Sequence, residues 1–170
     1  MKTVVIKGKH NEDKINNIDN PIRNEAAKYK FDIDNYDHKK QIDVLNNLYL
    51  GNKIDYEKDM LSILSRKLSS YKSQDKQKNI WNQSSFITKE EALETLVASK
   101  LRCHYCSCNL LFLYNTVGEK KQWTLDRINN ELGHFRSNVV IACLDCNLQR
   151  KDMNKDKFKF TKNLKIVRSE

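Results

Sequence analysis

The sequence predicts an α+β fold: helices in the first hundred residues, then a small strand, strand, helix unit. Three observations carry that prediction. Apolar residues recur at three- and four-residue spacing between positions 42 and 71. Short apolar runs of strand length fall between positions 110 and 142. Two Cys-x-x-Cys pairs, Cys103 with Cys106 and Cys143 with Cys146, enclose those runs across 36 intervening residues.

Taken in order, residues 1–38 are polar and charged and contain the only proline, Pro21, so they are expected to form a polar arm, loosely ordered or docked on the rest. Helical spacing begins at Lys39. Ile42, Leu45, Leu48 and Tyr49 share one face, and Gly51-Asn52 supplies a stop. A second helix is expected over residues 55–71, where Met60, Leu61, Leu64, Leu68 and Tyr71 form a stripe whose role is packing. Residues 72–80 lack apolar periodicity and read as an exposed linker. Thr88 and Glu91 fit a capping box that opens a third helix burying Leu93, Leu96 and Val97. Residues 39–99 are thus a helical region without internal repeats.

Residues 100–170 read as knuckle, strand, loop, strand, knuckle and helix. Strands are expected over 110–114, 122–127 and 139–142, and a helix over 145–151. Each Cys-x-x-Cys pair can aim two sulfurs at one point, and two such pairs suit tetrahedral zinc, so Cys103, Cys106, Cys143 and Cys146 are the expected ligands. Disulfides are the alternative, but residues 1–6 hold only a three-residue apolar run before Lys7, unlike a secretory signal, and the expected setting is intracellular and reducing. Cys108 lies outside both pairs and is expected to pack as a small apolar residue. His104 and Tyr105 would sit at the knuckle tip.

Charge is unevenly placed. The chain carries 31 Lys and Arg against 22 Asp and Glu, and residues 100–170 hold 14 basic against 7 acidic side chains. Such a field attracts phosphate backbones, although a solvated lysine-rich surface would look the same by composition. No window approaches eighteen consecutive apolar residues, so a soluble protein with no membrane partner is expected.

Leu125-Asp126-Arg127-Ile128, Gly133-His134, Asn138-Val139-Val140 and Cys143-x-x-Cys146-Asn147 with Lys151 together resemble the zinc-stapled branch of the HNH endonucleases. Within it they are most similar to the variant with LDRI in place of the usual DH pair, found among phages and large DNA viruses. The resemblance covers about residues 100–153. It implies a ββα-metal fold that cuts nucleic acid with one divalent cation, Mg²⁺ or Mn²⁺, beside the structural Zn²⁺. Carried over residue by residue, Asp126 and Asn147 would bind that cation and Asn138 would hold the loop between the strands. One carboxylate and one amide oxygen leave most octahedral positions for water and the scissile phosphate.

Arg127 departs from the family pattern, which has a histidine base there; a guanidinium cannot deprotonate water near neutral pH. Arg127 could instead clamp the phosphate, leaving proton removal to His134, to hydroxide on the cation or to the substrate. Arg136, Arg150, Lys151 and Lys155, with Lys157 and Lys159, flank the expected site and in this context are expected to contact phosphate. Trp123 and the phenylalanines of KDKFKF (residues 155–160) are expected to pack. The expected function is a metal-dependent DNA endonuclease acting on duplex, nicked or branched substrate. The alternatives are a zinc module that binds nucleic acid without cutting, in transcription or packaging, and a structural or virion component.

Overall fold

The face shared by Ile42, Leu45 and Leu48 folds as helix α1 (His38–Leu50). The Asp37 carboxylate caps it by accepting from the Lys40 amide at 2.8 Å, and Gly51 closes it at φ 71°, a left-handed turn that glycine adopts without penalty. The computed structural model describes residues 30–164. Most of the polar arm therefore lies outside the described residues; its last residues form a 3-10 turn (Ile33–Asn35), and Phe31, Ile33 and Tyr36 pack against the core.

Helix α2 (Glu57–Gln77) buries Met60, Ile63, Leu64, Leu68 and Tyr71. It runs six residues past Tyr71, so the expected linker over 72–80 is in large part helix. The reason is Asp75: its side chain is fully buried and continues the row Leu64, Leu68, Tyr71 at four- and three-residue spacing. Lys72 and Lys76, which made the segment look solvated, lie over the Trp81 ring at 5.1 and 4.7 Å. Helix α3 (Lys89–Ser99) opens on the expected capping box: the Glu91 amide donates to Thr88 Oγ1 at 3.1 Å and the Thr88 amide to Glu91 Oε2 at 2.9 Å. It buries Ala92, Leu93 and Leu96, while Val97 is partly buried.

Strands β1 (Trp123–Arg127) and β2 (Val139–Cys143) pair antiparallel, Trp123 opposite Cys143 and Arg127 opposite Val139. Helices α4 (Leu144–Arg150) and α5 (Lys155–Asn163) follow. The chain is thus α+β, a helical region joined to a two-stranded sheet with helices. The strand expected over 110–114 does not form. Leu111 makes a single bridge to Gln122, and the amides of Phe112 and Leu113 both donate to Gln41 Oε1 of α1, at 2.8 and 3.0 Å. A buried glutamine satisfies these donors where a neighbouring strand would otherwise have to.

One apolar cluster runs from α1, α2 and α3 through both knuckles and both strands to Phe158 of α5. Phe158 meets Tyr105 edge-on with ring centres 5.0 Å apart, whereas Phe160 is exposed. Trp123 packs as expected, fully buried against Phe112. Polar contacts also join α2 to β1. Lys67 Nζ donates to the Trp123 carbonyl and, at 2.9 Å, to Gln122 Oε1, between the rings of Trp123 and Tyr114. The Leu125 amide donates to the Tyr71 hydroxyl at 3.1 Å. Among the described residues no helix is long and apolar enough to cross a membrane.

Candidate functional site

The four paired cysteines converge. Their sulfurs all lie within 4.8 Å of one another, with Cys106 Sγ 3.9 Å from Cys143 Sγ. Four sulfurs held about 2.3 Å from one tetrahedral centre are about 3.8 Å apart, so the cluster is positioned to hold a metal ion and its dimensions are consistent with zinc. Backbone amides support the sulfurs: the Cys143 amide donates to Cys103 Sγ and the Cys146 amide to Cys143 Sγ, each at 3.3 Å. A hydrogen bond with the Cys143 thiol lowers Cys103 to about 4, while the same contact pushes Cys143 up and burial pushes Cys146 up to about 12. One thiolate is therefore accommodated readily, and four together require a cation among them. Cys108 is half-buried beside this cluster.

β1 carries Asp126 inward, where it is 3% exposed. Its Oδ2 accepts from Arg150 Nε at 2.6 Å and from the Tyr105 hydroxyl at 2.5 Å; its Oδ1 accepts from Arg150 Nη2 at 2.8 Å. Arg150 also donates to the carbonyls of Arg127 (2.5 Å) and Met153 (2.7 Å). Being 2% exposed, it is an internal counter-ion and not the surface phosphate contact expected from its place among basic residues. Tyr105, between the first two cysteines and outside the thiol cluster, is fully buried, and burial together with Asp126 raises its pKa.

His134 is held by a carboxylate from α2. Asp75 Oδ2 accepts from the His134 amide and Asp75 Oδ1 pairs with Nδ1 of the ring, both at 2.7 Å. The Tyr71 ring lies against the imidazole at 4.6 Å, and the His134 carbonyl accepts from the Ile87 amide at 2.8 Å. Burial lowers the His134 pKa against the opposing pull of Asp75, favouring the neutral ring. Arg127 lies beside the same carboxylate, Nη1 at 3.5 Å from Asp75 Oδ1 and 3.4 Å from the Leu132 carbonyl, contacts long enough to be weak.

Asn138 ties down the loop between the strands. Its Oδ1 accepts from the Asn129 amide at 2.9 Å, and its Nδ2 donates to the carbonyls of Asn129 and Gly133, each at 3.0 Å. Asn147 sits on α4, Nδ2 3.1 Å from Thr124 Oγ1, with its oxygen free of protein partners among the described residues. Asp126, Arg127, His134 and Asn147 all line one cleft of about 580 Å³, with Tyr71, Lys78 and Lys151 also on its walls. Lys151 and Lys155 leave their ammonium groups available, Lys155 only loosely paired with Asp156 at 3.8 Å. Arg136 is exposed and already bound to Glu94 at 2.6 Å.

Two oxygen donors on the walls of this cleft are not fully committed to protein partners. Asp126 Oδ2 is saturated by two hydrogen bonds, whereas Oδ1 accepts one and keeps a lone pair; with the Asn147 oxygen it offers two ligands. The charge that would attract the cation is already balanced by Arg150. Sequence reasoning missed Asp75, Tyr71 and the inward role of Arg150. The four-and-three spacing that continues from Leu64 to Asp75 was the available signal for the first.

No family model matches the chain, and no solved structure matches it. The chain is similar to "Uncharacterized protein R423" of Acanthamoeba polyphaga mimivirus, at 38% identity over 72 residues. That match takes in 42% of this chain and only 12% of the mimivirus protein's length, so the likeness concerns a segment of a much longer relative.

Proposed function

We propose that the chain is an HNH-type endonuclease that hydrolyses phosphodiester bonds of DNA, its structural Zn²⁺ held by Cys103, Cys106, Cys143 and Cys146. The observation that supports this most is the meeting of Asp126, Arg127, His134 and Asn147 on one cleft. These residues come from a strand, a loop and a helix separated in sequence. Each also has an internal partner, but a carboxylate, a guanidinium, an imidazole and an amide lining common space is the arrangement a catalytic cleft requires.

In this reading Asp126 Oδ1 and Asn147 hold Mg²⁺ or Mn²⁺. When bound, that ion supplies neutralisation of the charge developing on the phosphate and the leaving oxygen. Arg127, weakly held at rest, turns its guanidinium to the phosphate, and Lys151 and Lys155 hold the flanking backbone. His134 is the one imidazole on the cleft and takes the proton of the attacking water. The similarity to a mimivirus protein is consistent with a viral origin.

The Arg150–Asp126 pair favours a second reading, a zinc module that binds nucleic acid without cutting, because it fills much of the proposed cation ligand's capacity. Incubating zinc-loaded protein with supercoiled plasmid and with branched DNA, in Mg²⁺, Mn²⁺ or EDTA, separates the two. Metal-dependent nicking that is lost in Asn147→Ala and slowed in Arg127→Ala supports the endonuclease. Salt-sensitive binding without cutting under every metal condition supports the binding module.

A further inference from the structure

Asp75 belongs to a helix outside the segment that resembles the nuclease family, yet it reaches the centre of the site. Its side chain has no exposed surface: Oδ2 accepts from the His134 amide and Oδ1 meets the His134 ring at Nδ1, each at 2.7 Å, with Arg127 Nη1 a longer, weaker contact to Oδ1 at 3.5 Å. The approach is built for. A Cβ on Gly133 would lie 3.0 Å from Asp75 Oδ2 and 2.8 Å from the Ile80 carbonyl, so glycine at 133 is what admits the carboxylate. Tyr71, one turn earlier on α2, covers one face of the ring. An imidazole fixed at its amide, its carbonyl, its ring face and its Nδ1 has one functional atom left. That atom, Nε2, has no protein partner among the described residues, and the ring lines the cleft that holds Asp126 and Asn147.

We propose that Asp75 is the positioning residue of the site: by accepting Nδ1–H it fixes the His134 tautomer, so that the Nε2 lone pair is presented to the cleft. The inference rests on the endonuclease reading for its chemical use. In the hydrolytic step the water oxygen bonds to phosphorus and a water proton passes to Nε2. The bond from phosphorus to the leaving sugar oxygen breaks, and that oxygen takes a proton from bulk water; His134 then returns its own to solvent. A neutral imidazole with its proton on Nε2 could not do this, and a carboxylate at Nδ1 disfavours that form. The helical region is therefore part of the active site.

The test has two arms. In the zinc-loaded wild-type chain, nitrogen-15 NMR of the His134 ring reads the tautomer directly, whether or not the protein cuts DNA. An Nδ1–H ring is expected, and an Nε2–H ring overturns the proposal even if cleavage is robust. In a cleavage assay at saturating Mg²⁺, Asp75→Asn is expected to lower kcat by about 10- to 100-fold with KM little changed. In a His134→Ala background the same substitution is expected to add no further loss, because its effect passes through the imidazole. An equal loss in both backgrounds overturns the positioning role. Should Asp75→Asn fail to fold, the wild-type tautomer decides. Absence of cutting by wild-type protein with every metal overturns the endonuclease reading instead, whichever tautomer is found.

Discussion

Arg150 grips Asp126 by both carboxylate oxygens, at 2.6 Å through Nε and 2.8 Å through Nη2, with neither side chain more than 3% exposed. Burying such a pair stabilises little by itself, but removing one member strands the other's charge in the interior. Arg150→Met is expected to destabilise the protein by about 3–5 kcal/mol, read as a lower urea midpoint of the zinc-loaded chain. Arg150→Lys keeps the charge without the two-pronged geometry and falls between. A midpoint for Arg150→Met equal to wild type would contradict the buried pairing.

On the proposed endonuclease reading, the same pair would set the order in which cation and nucleic acid bind. Since Arg150 balances Asp126, the free protein offers a divalent cation little net negative charge, and a phosphodiester supplies what is missing. Mn²⁺ binding, followed by electron paramagnetic resonance, is expected to be weak in the DNA-free protein and to tighten when an uncleavable oligonucleotide is added. Equal affinity in both conditions would contradict it.

Zinc removal should reach beyond the knuckles. The apolar cluster that includes Cys103, Cys143 and Cys146 is continuous with the cores of α1, α2 and α3. Chelation or Cys143→Ser is therefore expected to lower the melting temperature of the whole chain, with the loss of one bound zinc by elemental analysis. Protons compete for the thiolates, so zinc is released as pH falls. Helical circular dichroism unchanged after complete zinc loss would show that the helices stand alone.

Lys67 gives stability a pH dependence at the opposite end of the scale. Burial between Trp123 and Tyr114 pushes its pKa down to about 7, against about 10.4 in an unfolded chain. Between those values the unfolded state binds the extra proton, so this lysine's contribution makes stability rise with pH from about 7 to about 10. Below about 7 the penalty for charging it in the folded state is fully present. Urea midpoints of zinc-loaded protein at several pH values check this, and Lys67→Met is expected to flatten the rise.

Gly133→Ala places a methyl group against the Ile80 carbonyl and the Asp75 carboxylate, both backed by the end of α2. The forced shift is expected to cost about 1–3 kcal/mol. It should also move the His134 ring resonances, since the carboxylate that holds the ring is displaced. A variant with wild-type stability and unchanged His134 signals would show that the helix end yields freely.

What could be read in the sequence was local. Gly51 ends α1, Thr88 and Glu91 cap α3, and the two cysteine pairs meet, because each depends on residues a few positions apart or on a metal's fixed geometry. What could not be read was pairing over distance. Asp75 lies among lysines and glutamines, and its partner His134 is 59 residues away. Arg150 looks like one more basic residue until Asp126 is seen to be enclosed. The apolar run at 110–114 promises a strand, yet two of its amides are taken by the remote Gln41 side chain.

Lys67, Tyr71 and Asp75 stand four residues apart on α2, and they meet Trp123, Leu125 and Arg127, two residues apart on β1. Four helical residues rise about 6.0 Å and two strand residues about 6.6 Å, so one row of the helix serves as a ruler laid along the strand. The ruler lies along β1 away from β2, shielding an edge that would otherwise be open to pairing with another chain. Inserting one residue between Lys67 and Asp75 would turn the later marks by about 100° away from the strand. A fragment cut at residue 100 would keep its cysteines and lose its ruler, leaving the Leu125 amide without its hydroxyl acceptor and a histidine without its carboxylate.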